Sequence, residues 1–198
     1  ENYEVAQEAS NQYELFYKDY AKLCEVANMM SVYDFDEYIE YVAERKENYV
    51  ICIASKSDMS TGLSNSNINK LRSLGLSADF YNEMTDFNSY IAIIDGGKVV
   101  YERISDRKQN YEYEISDDTE VSIVSSGYYS SPEVSMKYNG KEYALDINGV
   151  DIVVFDKYSN CVVDSVWFNT YMPDPHDCNH NNPLDIISEY WIQIGKKG

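Results

Sequence analysis

The chain has 198 residues, with 16 Lys and Arg against 34 Asp and Glu, a formal net charge of −18. A hydrophobic fraction of 44% with 14% aromatics excludes disorder for most of the chain, so the acidity belongs to the surface of one large domain or two small ones. Such a charge repels phosphate backbones and anionic lipid, and no apolar run approaches the ~20 residues that span a bilayer; nucleic-acid binding and membrane insertion are not expected, and the chain reads as a soluble domain or the soluble part of an anchored protein.

The first thirty residues carry Ala9, Tyr13, Phe16, Tyr20, Leu23, Ala27 and Met30 at alternating steps of four and three, the spacing of one helical stripe. This stripe is expected to dock on the chain's own domain; the alternative is an assembly role, self-association through the N-terminal helix in a coiled coil about three heptads long. The partition is a helical extension over 1–31 and a β-rich domain over 32–198. Asp34 with Glu37 three residues on predicts a second, capped helix with Phe35, Tyr38, Ile39 and Val42 on its apolar face.

From Tyr49 the pattern turns to strands. Tyr49-Val50-Ile51-Cys52-Ile53-Ala54 is apolar throughout, as for a strand covered on both faces. Ser64 to Leu74 reads as a helix stopped by Gly75. Two runs, Tyr90 to Ile94 and Lys98 to Glu102, flank Asp95-Gly96-Gly97 and predict a hairpin. Further strands are predicted at 111–115, 120–125, 134–138, 150–156 and 162–168, separated by turn residues. A polar, Pro-bearing stretch over 172–182 precedes a last apolar run from Leu184 to Ile194. Helices first and then mainly antiparallel strands define an α+β domain.

Three stretches together resemble the interleukin-like EMT inducer domain, in the circularly permuted arrangement of its bacterial versions. They are Ile51 to Asp58 followed by Leu71-Arg72-Ser73-Leu74-Gly75-Leu76; Asn88-Ser89-Tyr90-Ile91-Ala92-Ile93-Ile94-Asp95-Gly96-Gly97-Lys98; and Asn148-Gly149-Val150-Asp151-Ile152-Val153-Val154 with the closing Phe168-Asn169-Thr170-Tyr171. The resemblance implies two packed, twisted β-sheets flanked by helices. It also implies a non-catalytic recognition module that binds carbohydrate or a protein partner, at the cell surface or in an exported protein. Basic residues expected by that pattern are replaced by Asn148 and Phe87, and the acidic loop residue stands as Asp58. Asp58, Asn88, Tyr90 and Asn148 are therefore the candidate ligand-binding residues, because Asn amides and a Tyr face hydrogen-bond and stack on sugars.

The two histidines suggest a second chemistry. Asp174, His176, Cys178 and His180 alternate, which puts four potential zinc or copper ligands on one side of an extended chain and carries the alternative of a small metal-dependent hydrolase. A Cys178-centred nucleophile between two His is cramped for a directed proton relay. Acid clusters such as Asp117, Asp118 and Glu120 read as solvated faces, and neither a calcium loop nor a phosphate-binding glycine loop is present. No cofactor is called for. Free thiols are the expected state of the four Cys, with Cys52 a buried, inert one; Cys161 and Cys178 are the pair that export would allow to approach one another.

Overall fold

The computed structural model describes residues 2–57, 59–84, 88–172, 175 and 177–197. The elements run α1 (Asn2–Met29), α2 (Phe35–Ala43), β1 (Tyr49–Lys56), α3 (Asn65–Ser73), β2 (Ser89–Asp95), β3 (Lys98–Ser105), β4 (Gln109–Ser116), β5 (Thr119–Ser125), β6 (Val134–Tyr138), β7 (Lys141–Glu142), β8 (Gly149–Asp156), β9 (Cys161–Phe168), β10 (Cys178–His180) and α4 (Pro183–Gly195). Two antiparallel sheets form, one of six strands ordered β10-β9-β8-β1-β2-β3 and one of four ordered β4-β5-β6-β7. The α+β class and the packed sheets agree with the sequence.

Continuous apolar runs become the central strands, as burial on both faces demands. β1 lies between β2 and β8, with Cys52 opposite Ile93 on one side and Val153 on the other. Residues of opposite parity on β1 face opposite layers. Tyr49 donates its hydroxyl hydrogen to Glu25 of α1, whereas Cys52 Sγ accepts from Tyr138 of β6 at 3.1 Å. The six-stranded sheet thus sits between helices and the smaller sheet. Tyr138 also stacks on Phe155 at 5.3 Å, and across the other face Phe35 and Tyr38 of α2 pack on Phe168.

The capping residues behave as their chemistry predicts. Asp34 accepts from Glu37 N at 3.0 Å, and Ser64 and Asn67 close a reciprocal capping box around the start of α3, removing orphan N–H groups from both helix starts. The last apolar run is α4, which begins at Pro183 and buries Ile186, Tyr190 and Ile194.

The N-terminal stripe packs differently from its prediction. Val26, Met29 and Met30 are buried, and the half-buried positions before them are Leu15, Asp19 and Lys22 to Glu25. The docked face therefore runs through 15, 19, 22, 26 and 29, one residue out of register with the predicted stripe and rotated about 100° around the helix. Tyr13, Phe16, Tyr20 and Ala27 remain exposed. The cause is the domain's own surface: Tyr158 meets Asp19 through its hydroxyl at 3.3 Å and the ammonium groups of Lys18 and Lys22 through its ring, which turns the charged edge of the helix inward.

The cysteines are unpaired, as expected. All four thiols are free. Cys161 pairs with Asp156 at one end of β9, and Cys178 pairs with Phe168 at the other, about 20 Å apart at the rise of a strand and far beyond disulfide reach. Burial pushes the Cys52 thiol up to about 12. Alkylation of the native protein is expected to label Cys24 and Cys178 first and Cys52 only after unfolding, whereas early labelling of Cys52 by mass spectrometry would contradict its placement.

Candidate functional site at the loop end of the sandwich

Six strand ends converge at one end of the molecule. Lys56, the last residue of β1, is opposite Gly149, the first of β8, and Val150 is opposite Phe168, the last of β9. Lys56 also bridges to Ser126 just past β5, and Tyr90 N at the start of β2 donates to Ser125 Oγ at 3.1 Å. The connections after β1, β5 and β9 and before β2, β6 and β8 therefore gather there. Asn88 and Asn148 both belong to this end.

Hydrogen bonds and left-handed backbone hold these loops. Ser57, at φ 61°, donates from its amide to Ser126 O at 3.0 Å and from its hydroxyl to Asn148 Oδ1 at 3.2 Å. Lys56 Nζ donates to the carbonyl and to Oδ1 of Asp146, both at 2.8 Å, and the same Oδ1 accepts from Val134 N at 3.1 Å. Trp167 Nε1 donates to Asn148 O at 3.0 Å. Gly149 follows at φ 131°, where an added Cβ would stand 2.9 Å from Trp167 Nε1 and collide with the Phe168 carbonyl; only glycine permits this approach. Asn148 is exposed, and its Nδ2 has no partner among the described residues. Exposed rings of Tyr128 and Tyr171 occupy the neighbouring turns, and Trp167 is half-buried.

Beneath this surface lies Asp151, fully buried on β8. Its Oδ1 accepts from Leu145 N at 2.8 Å, while its Oδ2 has no partner among the described residues. Desolvation, opposed by the Leu145 amide hydrogen bond and less by Lys56 and reinforced by the nearby charges of Asp146 and Glu142, pushes this carboxyl up to about 7, so its neutral form persists close to neutrality.

Tyr90 does not belong to the ligand surface. It is fully buried, with its ring against Phe80 at 5.1 Å and its hydroxyl donating to Glu102 Oε1 at 2.9 Å. Glu102 in turn accepts from the amides of Ser77 and Ala78, so Tyr90 helps fasten the chain after α3 to β3. The reason is its position at the head of an apolar run in an interior strand, which leaves no exposed face. Asn88 is half-buried just before β2. Asp58 lies outside the described residues.

The alternating His/Cys stretch is only partly described, since Asp174 and His176 lie outside the described residues. Cys178 is half-buried and His180 buried on β10. His180 turns inward: its Nδ1 stands 3.0 Å from Asp164 Oδ1 and its Nε2 3.0 Å from Val32 O. Two acceptors facing both ring nitrogens call for two N–H donors, the imidazolium form. Burial alone would lower the His180 pKa, but the hydrogen bonds to Asp164 and Cys178, with the Asp164 charge and the Val32 carbonyl, carry it up to about 10. Both ring nitrogens are thus engaged within the protein, by Asp164 and by the Val32 carbonyl. Among the described residues no group of three or more His, Cys, Asp or Glu is arranged to hold a metal ion.

The acids at Asp117, Asp118 and Glu120 line an open cleft of about 610 Å³ at the β4–β5 turn with Glu112 and Glu114, a solvated acidic face as read from sequence. No helix is long and apolar enough to cross a membrane among the described residues. No protein-family model, curated protein or solved structure matches the chain.

Sequence reasoning missed Lys56, Asp146, Asp151 and Trp167. Asp151 carried a signal, since an acid inside Val150-Asp151-Ile152-Val153-Val154 interrupts an otherwise apolar strand and must be buried with it.

Proposed function

We propose that this chain is a non-catalytic recognition module that binds carbohydrate through the loop end of its sandwich. The observation that carries the reading is the exposed Asn148 amide, held by Ser57 and Trp167 at the foot of a surface bearing Tyr128, Tyr171 and Trp167. An oriented amide with open donors, next to aromatic faces, suits a ligand made of hydroxyls and C–H surfaces. The resemblance to the interleukin-like EMT inducer domain supports the same reading and an exported or cell-surface setting. Where that pattern has Asn after the glycine and one apolar residue, this chain has Asp151, whose neutral form has the shape of the amide it replaces. The Lys56 ammonium is satisfied by Asp146, so it positions the loop rather than attracting an anionic sugar.

Glycan-array binding tests the proposal. Asn148→Ala and Trp167→Ala are expected to weaken binding about tenfold or more, the loss of one or two hydrogen bonds and a stacking face. Tyr90→Phe, which alters only a buried hydroxyl, is expected to leave binding unchanged. Loss of glycan signal in Tyr90→Phe but not in Asn148→Ala would remove the loop end from consideration.

A further inference from the structure

We propose that two copies of this chain pair through the exposed stripe of α1 and the apolar groove between α1 and α4. From Val5 to Glu14 every residue of α1 is exposed, so the front of this 28-residue helix stands clear of its own domain on all sides. A helical segment of that length is marginal in water without tertiary contacts. Its stripe is apolar nonetheless: Tyr13 is 61% exposed, Phe16 58% and Tyr20 53%. Beside the rear of the stripe, Leu23 joins Ile187, Trp191 and Ile192 of α4 around an apolar groove of about 400 Å³. Trp191 and Ile192 are themselves 48% and 55% exposed. The stripe and the groove share Leu23 and form one continuous surface.

The area and the charges favour a second copy as occupant. Each of the exposed large side chains offers on the order of 100 Å², and together with Tyr17, Ala9 and Ile187 the surface approaches the roughly 800 Å² per partner of a stable interface. The positions flanking the stripe along its front half are Ser10, Gln12 and Tyr17, all uncharged. A basic partner would meet no acid there. An identical helix meets no like charge either, although the chain as a whole carries −18. A two-fold axis makes the contact self-complementary and closed. Antiparallel pairing lets the unpartnered front half of each helix enter the other copy's groove, and it keeps the two acidic domains apart.

Light scattering after size-exclusion chromatography at tens of micromolar tests this. Twice 22.9 kDa is expected for the unaltered chain. Phe16→Glu with Tyr20→Glu, and separately Ile192→Glu, are expected to give 22.9 kDa with the strand signal of circular dichroism intact. Glu14→Lys, off the stripe, is expected to keep the doubled mass. A single-chain mass for the unaltered protein overturns the proposal, as does a doubled mass in both charge variants; dissociation by the α1 variant alone overturns the part assigned to the groove.

Discussion

Replacing His180 by Ala is expected to cost about 3–5 kcal/mol, the loss typical of breaking a buried ion pair from one side. Against a total stability of roughly 5–15 kcal/mol this is a large fraction. The Asp164 carboxylate is fully buried and accepts from three donors: Tyr38 OH at 2.9 Å, Ser165 N at 2.9 Å and His180 at 3.0 Å. Removing the imidazolium leaves a buried anion with two neutral donors and strips the Val32 carbonyl, at the α1–α2 junction, of its partner. Asp164→Ala is expected to cost a similar amount, since it orphans His180 and the Tyr38 hydroxyl. The double variant should lose less than the sum of the two, because both changes break one interaction. Urea unfolding measures all three, and a loss below about 1 kcal/mol for His180→Ala would show that the pair does not hold β9, β10 and α2 together.

The same pair sets a pH dependence. The folded His180 is raised from 6.5 to about 10, so its contribution is complete below 6.5 and disappears as the pH climbs through that window.

Asp151→Asn is expected to stabilise the protein in mildly alkaline solution and to change little in acid. The folded Asp151 carboxyl is raised from 3.8 to about 7. A raised acid favours folding while protonated; its contribution is complete below 3.8 and is lost as the pH rises to about 7, above which folding carries a buried charge. A shift of about three pK units at about 1.4 kcal/mol each sets a ceiling of roughly 4 kcal/mol, and relaxation around the orphan oxygen brings the expected gain to about 2–4 kcal/mol at pH 8. Asparagine keeps the acceptor for Leu145 N and carries no charge to desolvate. Thermal melts between pH 4 and 8 should show the unaltered protein weakening with rising pH more steeply than the variant, which keeps the His180 loss above pH 6.5 but not the Asp151 loss below it. Parallel curves for the two proteins would place the Asp151 carboxyl in water instead.

Asp151 and His180 act in successive windows and in the same direction, so stability should decline from mild acid to alkali. The ionised carboxylates of a chain with 34 acids add self-repulsion to that decline.

What could be read from the sequence was whatever depends on neighbours along the chain. Strand periodicity, the cap at Asp34, and the Asp95-Gly96-Gly97 hairpin are local matters of propensity and turn geometry, and the predicted strands from Tyr49 to Phe168 appear within two residues of their predicted ends, except β3, which runs three residues further to Ser105. The three-residue β10 and two-residue β7 were not legible, because strands that short exist only through the partners they pair with. Side-chain direction was decided by tertiary contact alone. Tyr90 and Asn148 looked alike as ligand candidates, yet an interior strand closed over one while a left-handed Gly149 and the Trp167 indole held the other at the surface. The spacing of α1 pointed to the single stripe through Tyr13, Phe16 and Tyr20; Tyr158 instead drew in the adjacent face bearing Asp19 and Lys22, whose charges meet its hydroxyl and its ring. That choice left Tyr13, Phe16 and Tyr20 to face outward, a consequence of packing geometry that no pattern of residue spacing contains.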